Sequence, residues 1–168
     1  MAIEIRRVRP EEYEEAGEVT ALAYREFGPD GDEDWESYFR RVADVAGRDA
    51  VAAVFVALDD GEIIGSVTLE LDERVGSRLP AANERLGPDQ AHIRMLGVRP
   101  AARRGGTGKA LMRYAIEEAR AAGKSRLTLH TSTRMEAAQG MYEGMGFDLV
   151  GEETFDDGFC LLAYELAL

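Results

Sequence analysis

The sequence predicts a mixed α/β sandwich in which about four helices flank a sheet of about seven strands. Apolar runs of strand length recur along the chain, and two Asp-Asp-Gly turns, at 59–61 and 156–158, each join neighbouring strands as a hairpin. The helical segments do not alternate regularly with the strands, which gives the order β-α-α-β-β-β-α-β-α-β-β. This order excludes a regular doubly wound parallel sheet, and the length of 168 residues fits a single domain over residues 1–168.

Local signals mark where the helices begin and end. Pro10 opens the first helix, with acidic residues in the first turn, where the helix dipole favours them. Asp34 is placed to cap a second helix that runs through Val45, while Gly123 and Gly146 end the third and fourth. Residues 72–90 show no period and are predicted to form a long surface loop. The predicted strands are 3–8, 51–58, 63–71, 92–98, 127–131, 149–155 and 159–167, and the helices are 10–27, 34–45, 107–122 and 136–145.

The composition is that of an ordinary globular protein, with 45% hydrophobic and 31% charged residues. No apolar run approaches the ~18 residues that a membrane-spanning helix needs. The first residues lack the apolar core of a secretory signal, and Cys160 is the only cysteine, which excludes a disulfide framework or a cysteine-based zinc cluster. We therefore expect a cytoplasmic protein with no membrane partner and no metal.

Charge is distributed unevenly along the chain. The net charge of −12 argues against nucleic acid as a partner. Residues 28–36 carry five acids and no base, whereas residues 99–126 carry eight Arg or Lys against two Glu. An anionic ligand is expected at the basic segment. The acidic run indicates either a cationic ligand or only a solvated surface.

The stretch 95–112 carries the strongest chemical signal, because a strand leads through a glycine-rich turn directly into a helix. Glycines let the backbone approach a ligand closely, and the N–H groups of a first helical turn attract anions. Arg103, Arg104 and Lys109 add positive charge at the same place. The stretch therefore predicts a phosphate or pyrophosphate site, with a tight structural turn as the alternative.

Two nucleotide-binding motifs fail on spacing. A P-loop requires a hydroxyl residue after its Gly-Lys pair and a first glycine five positions earlier, but this chain has Ala110 and Arg103 there. A dinucleotide fingerprint requires a third glycine where this chain has Leu111. A protein that switches on binding a nucleoside triphosphate is therefore disfavoured. Observation of magnesium-dependent nucleotide binding would restore that hypothesis.

The glycine turn instead fits a pattern of the GNAT superfamily of N-acetyltransferases. Residues 103–108 (RRGGTG) match Gln/Arg-x-x-Gly-x-Gly/Ala. Leu-Gly-Val at 96–98, followed by Pro100, resembles the family's fourth-strand signature, and residues 137–147 (AAQGMYEGMGF) resemble its A-x-x-L-Y-x-x-x-G-F segment. The resemblance extends over nearly the whole chain and implies a mixed, mostly antiparallel sheet whose fourth and fifth strands splay apart.

The resemblance also implies acetyl-CoA as co-substrate, with no metal. In this family the pantetheine arm lies between the splayed strands and pairs with the main chain of the fourth. The pyrophosphate lies on main-chain N–H groups of the glycine turn, and an adenosine phosphate would meet the basic side chains nearby. The implied cofactor-binding residues are Leu96, Gly97, Val98, Arg103, Arg104, Gly105, Gly106, Thr107, Gly108 and Lys109.

The family reaction is direct attack of an amine on the acetyl thioester, and it implies an acid that protonates the departing thiolate. Tyr142 matches the family tyrosine assigned to this role, and a phenol with a pKa of about 10 keeps its proton at neutral pH. A core tyrosine is the alternative. A backbone N–H near Leu96 would stabilise the oxyanion.

His92 is the predicted general base, because many relatives carry Glu at this position. A histidine with a reference pKa of about 6.5 is a competent base near neutral pH. Strand alternation predicts that His92, Arg94, Leu96 and Val98 share one side, so that His92 would line the acceptor site directly or through water. A structural histidine is the alternative, and His130 is the weaker candidate base.

The acceptor is expected to be an amine, and a cationic one, because the family's first two helices wall the acceptor site and are acidic here. Trp35, Tyr38 and Phe39 lie beside the acids. Met135 stands where many relatives carry an Asn that contacts the cofactor arm, and it would supply only apolar contact. A non-catalytic acyl-CoA-binding module is the rival function. A homodimer through the C-terminal strands is compatible with the sequence.

Overall fold

A computed structural model describes residues 2–27, 35–72, 86–156 and 158–168. Its seven strands form one sheet in the order β1-β2-β3-β4-β5-β7-β6, in which β4 and β5 run parallel and all other neighbours antiparallel. The predicted mixed seven-stranded sheet is thus confirmed. The strands are β1 (Glu4–Arg7), β2 (Ala53–Asp59), β3 (Glu62–Glu70), β4 (Gln90–Val98), β5 (Arg126–Ser132), β6 (Asp148–Thr154) and β7 (Cys160–Ala167), and the helices are α1 (Tyr13–Tyr24), α2 (Trp35–Ala43), α3 (Val45–Asp49), α4 (Thr107–Ala121) and α5 (Glu136–Gly144).

The described chain has five α-helices where the sequence predicted about four. The second predicted helix, which was expected to run through Val45, is broken in two. Asp44 leaves the helical conformation and caps α3, because its side chain accepts a hydrogen bond from the Gly47 N–H at 2.9 Å. An aspartate that is free to cap competes with helix continuation, and here the cap prevails.

Several predicted features lie outside the described residues. These are the proposed cap Asp34, most of the acidic run (residues 28–34) and most of the predicted loop (residues 73–85). Within the described ranges, no helix combines the length and apolar character needed to cross a membrane. A cytoplasmic location stays a prediction.

Helices cover both faces of the sheet. On one face, α1 and α3 pack over a cluster of buried aliphatic side chains that includes Val19 and Val45. On the other face, the predicted apolar side of α4 is buried as expected, through Leu111, Met112, Ala115, Ile116 and Ala119. Each large side chain among them contributes about 1.5–3 kcal/mol on burial. The two packed faces hold the central strands in place, and the site lies at the end of those strands.

A β-bulge in β4 shapes the site. Val67 of β3 lies opposite two residues of β4, Met95 and Leu96, because the register shifts between Ser66 and Thr68. Met95 adopts a left-handed conformation with φ of 51°, which is uncommon for a residue with a side chain. Such an extra residue bends a strand and re-aims its side chains.

The bulge corrects the predicted alternation of β4. Before it, Ile93 packs in the core under α4, so that His92 and Arg94 point to the α1 face. After it, Leu96 and Val98 pack in the α4 core, and a Cβ on Gly97 would lie 3.1 Å from the Ala23 side chain of α1. The prediction that His92, Arg94, Leu96 and Val98 share one side is therefore wrong.

The predicted splaying of β4 and β5 is confirmed. Their parallel pairing covers Gln90 to Ile93 against Arg126 to Leu129 and then ends, although both strands continue. In the described chain, the ends of β4 and β5 therefore face each other across a gap. Their backbone groups on this side are open to a ligand instead of to a neighbouring strand.

An ion pair at the junction of β1 and α1 makes stability depend on pH. Arg6 donates two hydrogen bonds to the Glu12 carboxylate, at 2.6 and 2.9 Å, and lowers the pKa of Glu12 to about 2. Because the folded pKa lies below the unfolded value of about 4.3, the stabilisation is complete above that value and is lost as pH falls towards 2. Glu12→Gln is expected to lower the free energy of unfolding at neutral pH by about 1–2 kcal/mol and to flatten its acid dependence. Urea titrations across this pH range measure both, and an unchanged acid slope would contradict the assignment.

Candidate active site

A cavity of about 150 Å³ occupies the gap between β4 and β5. The ends of both strands form its floor, the C-terminal end of α1 and the helix α2 lie on one side, and α5 and β7 lie on the other. Its walls are largely apolar, with a few convergent polar groups, which is the usual character of a ligand site. The lining residues are Tyr24, Phe27, Tyr38, Ile93, Arg94, Met95, Leu96, Leu129, His130, Thr131, Ser132, Met135, Tyr142, Phe159 and Leu161.

The glycine turn presents the N-terminus of α4 to solvent. Arg104 and Gly106 both have left-handed backbones, with φ of 68° and 83°, and the helix begins directly afterwards at Thr107. A Cβ on Gly106 would meet no heavy atom within 4 Å, so the space in front of the helix is open. The first intrahelical bond runs from Ala110 N–H to Gly106 O at 2.9 Å, which leaves the preceding N–H groups without an intrahelical acceptor. This arrangement fits an anionic group such as a pyrophosphate.

Arg103 is engaged elsewhere. Its side chain forms an ion pair with Glu26 and donates to the Ala23 carbonyl at 3.0 Å, and its guanidinium lies 5.8 Å from the Phe27 ring centroid. Its backbone N–H donates to the Pro100 carbonyl at 3.3 Å. Arg103 therefore fastens the turn to the end of α1, whereas the N–H groups that follow it in the turn are better placed for an anion.

Tyr142 lies on α5 and lines the cavity, although only 5% of the residue is exposed. The rings of Phe147 and Tyr164 lie 5.7 and 6.0 Å from its ring and fix its position. Burial raises the pKa of the Tyr142 hydroxyl well above its usual value, because the phenolate would lose its hydration. The hydroxyl therefore holds its proton at all physiological pH values, as a proton donor must.

The two histidines occupy different positions. His92 is 3% exposed and shares a hydrogen bond with Thr128, with Nδ1 and Oγ1 2.7 Å apart. It is not among the described residues that line the cavity. His130, the weaker sequence candidate, does line it. The two ring centroids are 5.3 Å apart, so His92 lies behind His130.

Sequence reasoning gave no role to a buried charge cluster beside the cavity. Arg94 lines the cavity and pairs with the fully buried Glu70, with Nε 3.3 Å from Oε1. Arg48 is also buried on this face and donates to Thr68 Oγ1 at 3.2 Å. Desolvation lowers the pKa of both arginines, but from so high a value that both stay charged. An arginine in the middle of a central strand, between Ile93 and Met95, is the signal that would have indicated this cluster.

Four aromatic side chains line the cavity and form its aromatic wall, namely Tyr24, Phe27, Tyr38 and Phe159. Phe39 does not line the cavity but packs edge-on against Tyr38, with centroids 5.6 Å apart. Met135 also lines it and accepts a weak hydrogen bond from the Thr131 hydroxyl through Sδ at 3.6 Å. The wall thus offers flat apolar surface to a ligand.

Two solved structures that share this fold are described as N-acetyltransferases. The ribosomal-protein-S18-alanine N-acetyltransferase of Escherichia coli superposes with a TM-score of 0.70 at 17% identity, covering 99% of this chain and 94% of that chain. The PaiA N-acetyltransferase of Thermoplasma acidophilum, solved in complex with coenzyme A, superposes with a TM-score of 0.73 at 18% identity, covering 99% and 100%. At sequence identities of 17% and 18%, these superpositions establish the fold of this chain alone.

The family follows from the sequence comparisons. The model of the acetyltransferase (GNAT) family matches residues 13–147, so this chain belongs to the GNAT acetyltransferase family. The rat protein N-acetyltransferase family 8 member 3 is 33% identical over 98 residues, which are 58% of this chain and 39% of that protein. The mouse protein N-acetyltransferase family 8 member 7 is 33% identical over 101 residues, 60% of this chain and 40% of that protein. The chain therefore spans about two fifths of the length of these relatives.

Proposed function

We propose that this chain transfers an acetyl group from acetyl-CoA to an amine by direct attack. One observation carries the proposal: the splayed ends of β4 and β5 enclose a cavity that holds a buried tyrosine hydroxyl, Tyr142. The open N-terminus of α4 supplies the site for the anionic part of the cofactor. Membership of the GNAT family and the coenzyme A complex of the Thermoplasma acidophilum enzyme support the same conclusion.

The residues of the turn and of β4 fit the cofactor. Main-chain N–H groups from Arg104 to Lys109 would hold the pyrophosphate, and main-chain groups of Leu96, Gly97 and Val98 would pair with the pantetheine arm. Gly106 leaves the room that the pyrophosphate requires, whereas a Cβ on Gly108 would make only an ordinary contact with the Val98 side chain, at 3.6 Å. When bound, acetyl-CoA supplies the reactive thioester.

Two protein groups would assist the reaction. Tyr142 donates its retained proton to the leaving sulfur, and such a positioned acid contributes about 10²–10⁴-fold to rate. A backbone N–H beside the bulge, at Leu96, donates a hydrogen bond to the developing oxyanion. Met95 and Leu96, the two residues of the bulge, both line the cavity, which supports this role for the backbone there.

The general base is proposed to be His130 and not the predicted His92. A base must reach the amine proton directly or through one water. His130 lines the cavity, whereas His92 lies behind it and is tied to Thr128. His92 would act on the amine only through His130, so its role is to position that ring.

Substitution separates the two histidines. His130→Gln is expected to lower kcat by about 10²-fold or more, because the amine loses its proton acceptor. His92→Gln is expected to lower it by less than about tenfold, since it removes only a neighbour of the base. Steady-state rates at saturating acetyl-CoA measure both effects. A larger loss in the His92 variant, with the fold intact by circular dichroism, would restore His92 as the base.

The acceptor is proposed to be an amine. The expectation of a cationic acceptor depends on the acidic run 28–36, and most of that run lies outside the described residues. A protein amine is a further candidate, since one structural neighbour is a ribosomal-protein alanine N-acetyltransferase. A homodimer through the C-terminal strands stays a prediction, and the exposed Leu149 and Val150 of β6 are compatible with it.

Calorimetric titration with acetyl-CoA, CoA and magnesium-ATP tests the proposal, followed by a thiol-release assay over a panel of amines. Micromolar binding of acetyl-CoA and amine-dependent release of CoA are expected. If the wild-type protein and Tyr142→Phe both bind acetyl-CoA but neither releases CoA with any amine, a non-catalytic acyl-CoA-binding module would be favoured. Preference for magnesium-ATP over acetyl-CoA would overturn the proposal.

A further inference from the structure

We infer that the acceptor amine carries an anionic oxygen group, a carboxylate or a phosphate, that binds Arg94. The inference rests on the proposed acetyl transfer and specifies its second substrate. Among the described lining residues, Arg94 is the one Arg or Lys side chain, and none is a carboxylate. The described part of the lining therefore offers a partner to an anion.

The buried charges beside the cavity also favour an anionic ligand. Arg94 and Arg48 are two cations on this face, and the described carboxylate buried with them is Glu70. The three together carry one net positive charge, which the exposed Asp44 beside Arg48 offsets in part. Glu70 is fully buried and lies behind Arg94, so it holds the guanidinium in place without facing the ligand.

The aromatic wall adds positive charge at the rim. Three of its rings each lie 5.8 Å from an arginine guanidinium. The pairs are Phe27 with Arg103, Tyr38 with Arg41, and Phe159 with Arg134. Arg103 also pairs with Glu26, so the cations that this argument uses are Arg41 and Arg134. Cations held beside the lining rings favour an anionic ligand over a polyamine.

The same guanidinium would orient the acceptor. An amine attacks only as the neutral base, so the acceptor must give up a proton at the site. Arg94 and His130 both line the cavity, so an acceptor whose anionic group pairs with Arg94 would present its amine to the side of the cavity that holds His130. Binding and orientation would thus be coupled through one guanidinium.

Matched acceptors test the inference on the full chain. The pairs are β-alanine with propylamine, phenylalanine with phenethylamine, and phosphoethanolamine with ethanolamine, and spermidine represents the cations. The anionic member of at least one pair is expected to show a kcat/KM about tenfold or more above its partner, with spermidine poorest. The carboxylate and phosphate pairs distinguish the two anion types.

Variants assign the preference to Arg94. Arg94→Gln is expected to raise KM for the anionic acceptor about 10–100-fold and to bring each pair close to equality, with acetyl-CoA affinity unchanged. In Arg94→Gln, the buried Glu70 loses its charged partner, which can impair folding. The double variant Arg94→Gln with Glu70→Gln removes that buried charge as well. It is expected to show the same loss of preference for the anionic acceptor. Arg120→Gln, at the exposed far end of α4, is the control and is expected to keep the preference.

Product binding gives a readout that does not depend on turnover. In the presence of CoA, N-acetyl-phenylalanine is expected to stabilise the protein in thermal melts more than N-acetyl-phenethylamine does. Equal or better performance of the neutral and cationic amines, in rate or in product binding, would overturn the inference while acetyl transfer stands. Absence of acetyl-CoA binding would overturn the proposed function, and the inference with it.

Discussion

Tyr142→Phe is expected to lower kcat by about 10²-fold or more and to leave the affinity for acetyl-CoA nearly unchanged. The substitution removes one oxygen from a buried ring, so that the packing against Phe147 and Tyr164 is kept. What is lost is the proton that the leaving thiolate takes up. The measurement is kcat at saturating amine and acetyl-CoA, beside a calorimetric titration of the cofactor.

The pH profile adds a second test of Tyr142. Burial raises the pKa of its hydroxyl, so the group stays protonated well into the alkaline range and gives no alkaline decline of its own. Any acid-side decline comes from the base and is expected to persist in Tyr142→Phe. A decline in wild type near pH 8–9 that vanishes in the variant would contradict a raised pKa.

Tyr164→Phe is the matched control for Tyr142→Phe. Tyr164 is 1% exposed, lies beside Tyr142, and donates its hydroxyl to Glu143 at 3.0 Å instead of facing the cavity. Loss of that hydrogen bond is expected to cost about 1 kcal/mol of stability and little activity. Equal losses of activity in both variants would mean that the ring cluster, and not the Tyr142 hydroxyl, supports turnover.

The fold could be predicted from the sequence because its elements carry local signals. The Asp-Asp-Gly turn at 59–61, the apolar face of α4 and the stop at Gly123 each depend on neighbouring residues, and each is found where expected. The break at Asp44 was missed because a capping residue inside an amphipathic stretch is ambiguous until its partner, the Gly47 N–H, is known. Periodicity alone favours continuing the helix there.

The site was predicted less completely, because a single backbone distortion decides which side chains meet. The bulge at Met95 has no glycine or proline to announce it, and it separates His92 and Arg94 from Leu96 and Val98. The prediction that these four residues share one side therefore failed at that point, whereas the identity of the base stays a prediction. The cluster of Arg94 with Glu70 depends on cross-strand pairing between β3 and β4, which no local pattern specifies.

Gly106→Leu is expected to weaken acetyl-CoA binding about 100-fold or more, which corresponds to about 2.7 kcal/mol. The new side chain would enter the open space in front of α4, where the pyrophosphate is proposed to lie. A left-handed backbone with φ of 83° also strains any residue with a side chain, by roughly 1–2 kcal/mol. Loss of binding must therefore be separated from loss of stability.

Gly123→Leu makes that separation, because Gly123 has almost the same backbone and surroundings. Its φ is 79°, a Cβ at this position would meet no heavy atom within 4 Å, and it stands at the opposite end of α4. Both variants are expected to lose similar stability in urea unfolding, but only Gly106→Leu loses the cofactor in calorimetry. If both variants bind acetyl-CoA equally well, the pyrophosphate does not lie at the N-terminus of α4. If both lose it equally, backbone strain propagated along the helix, and not occupation of the anion site, explains the effect.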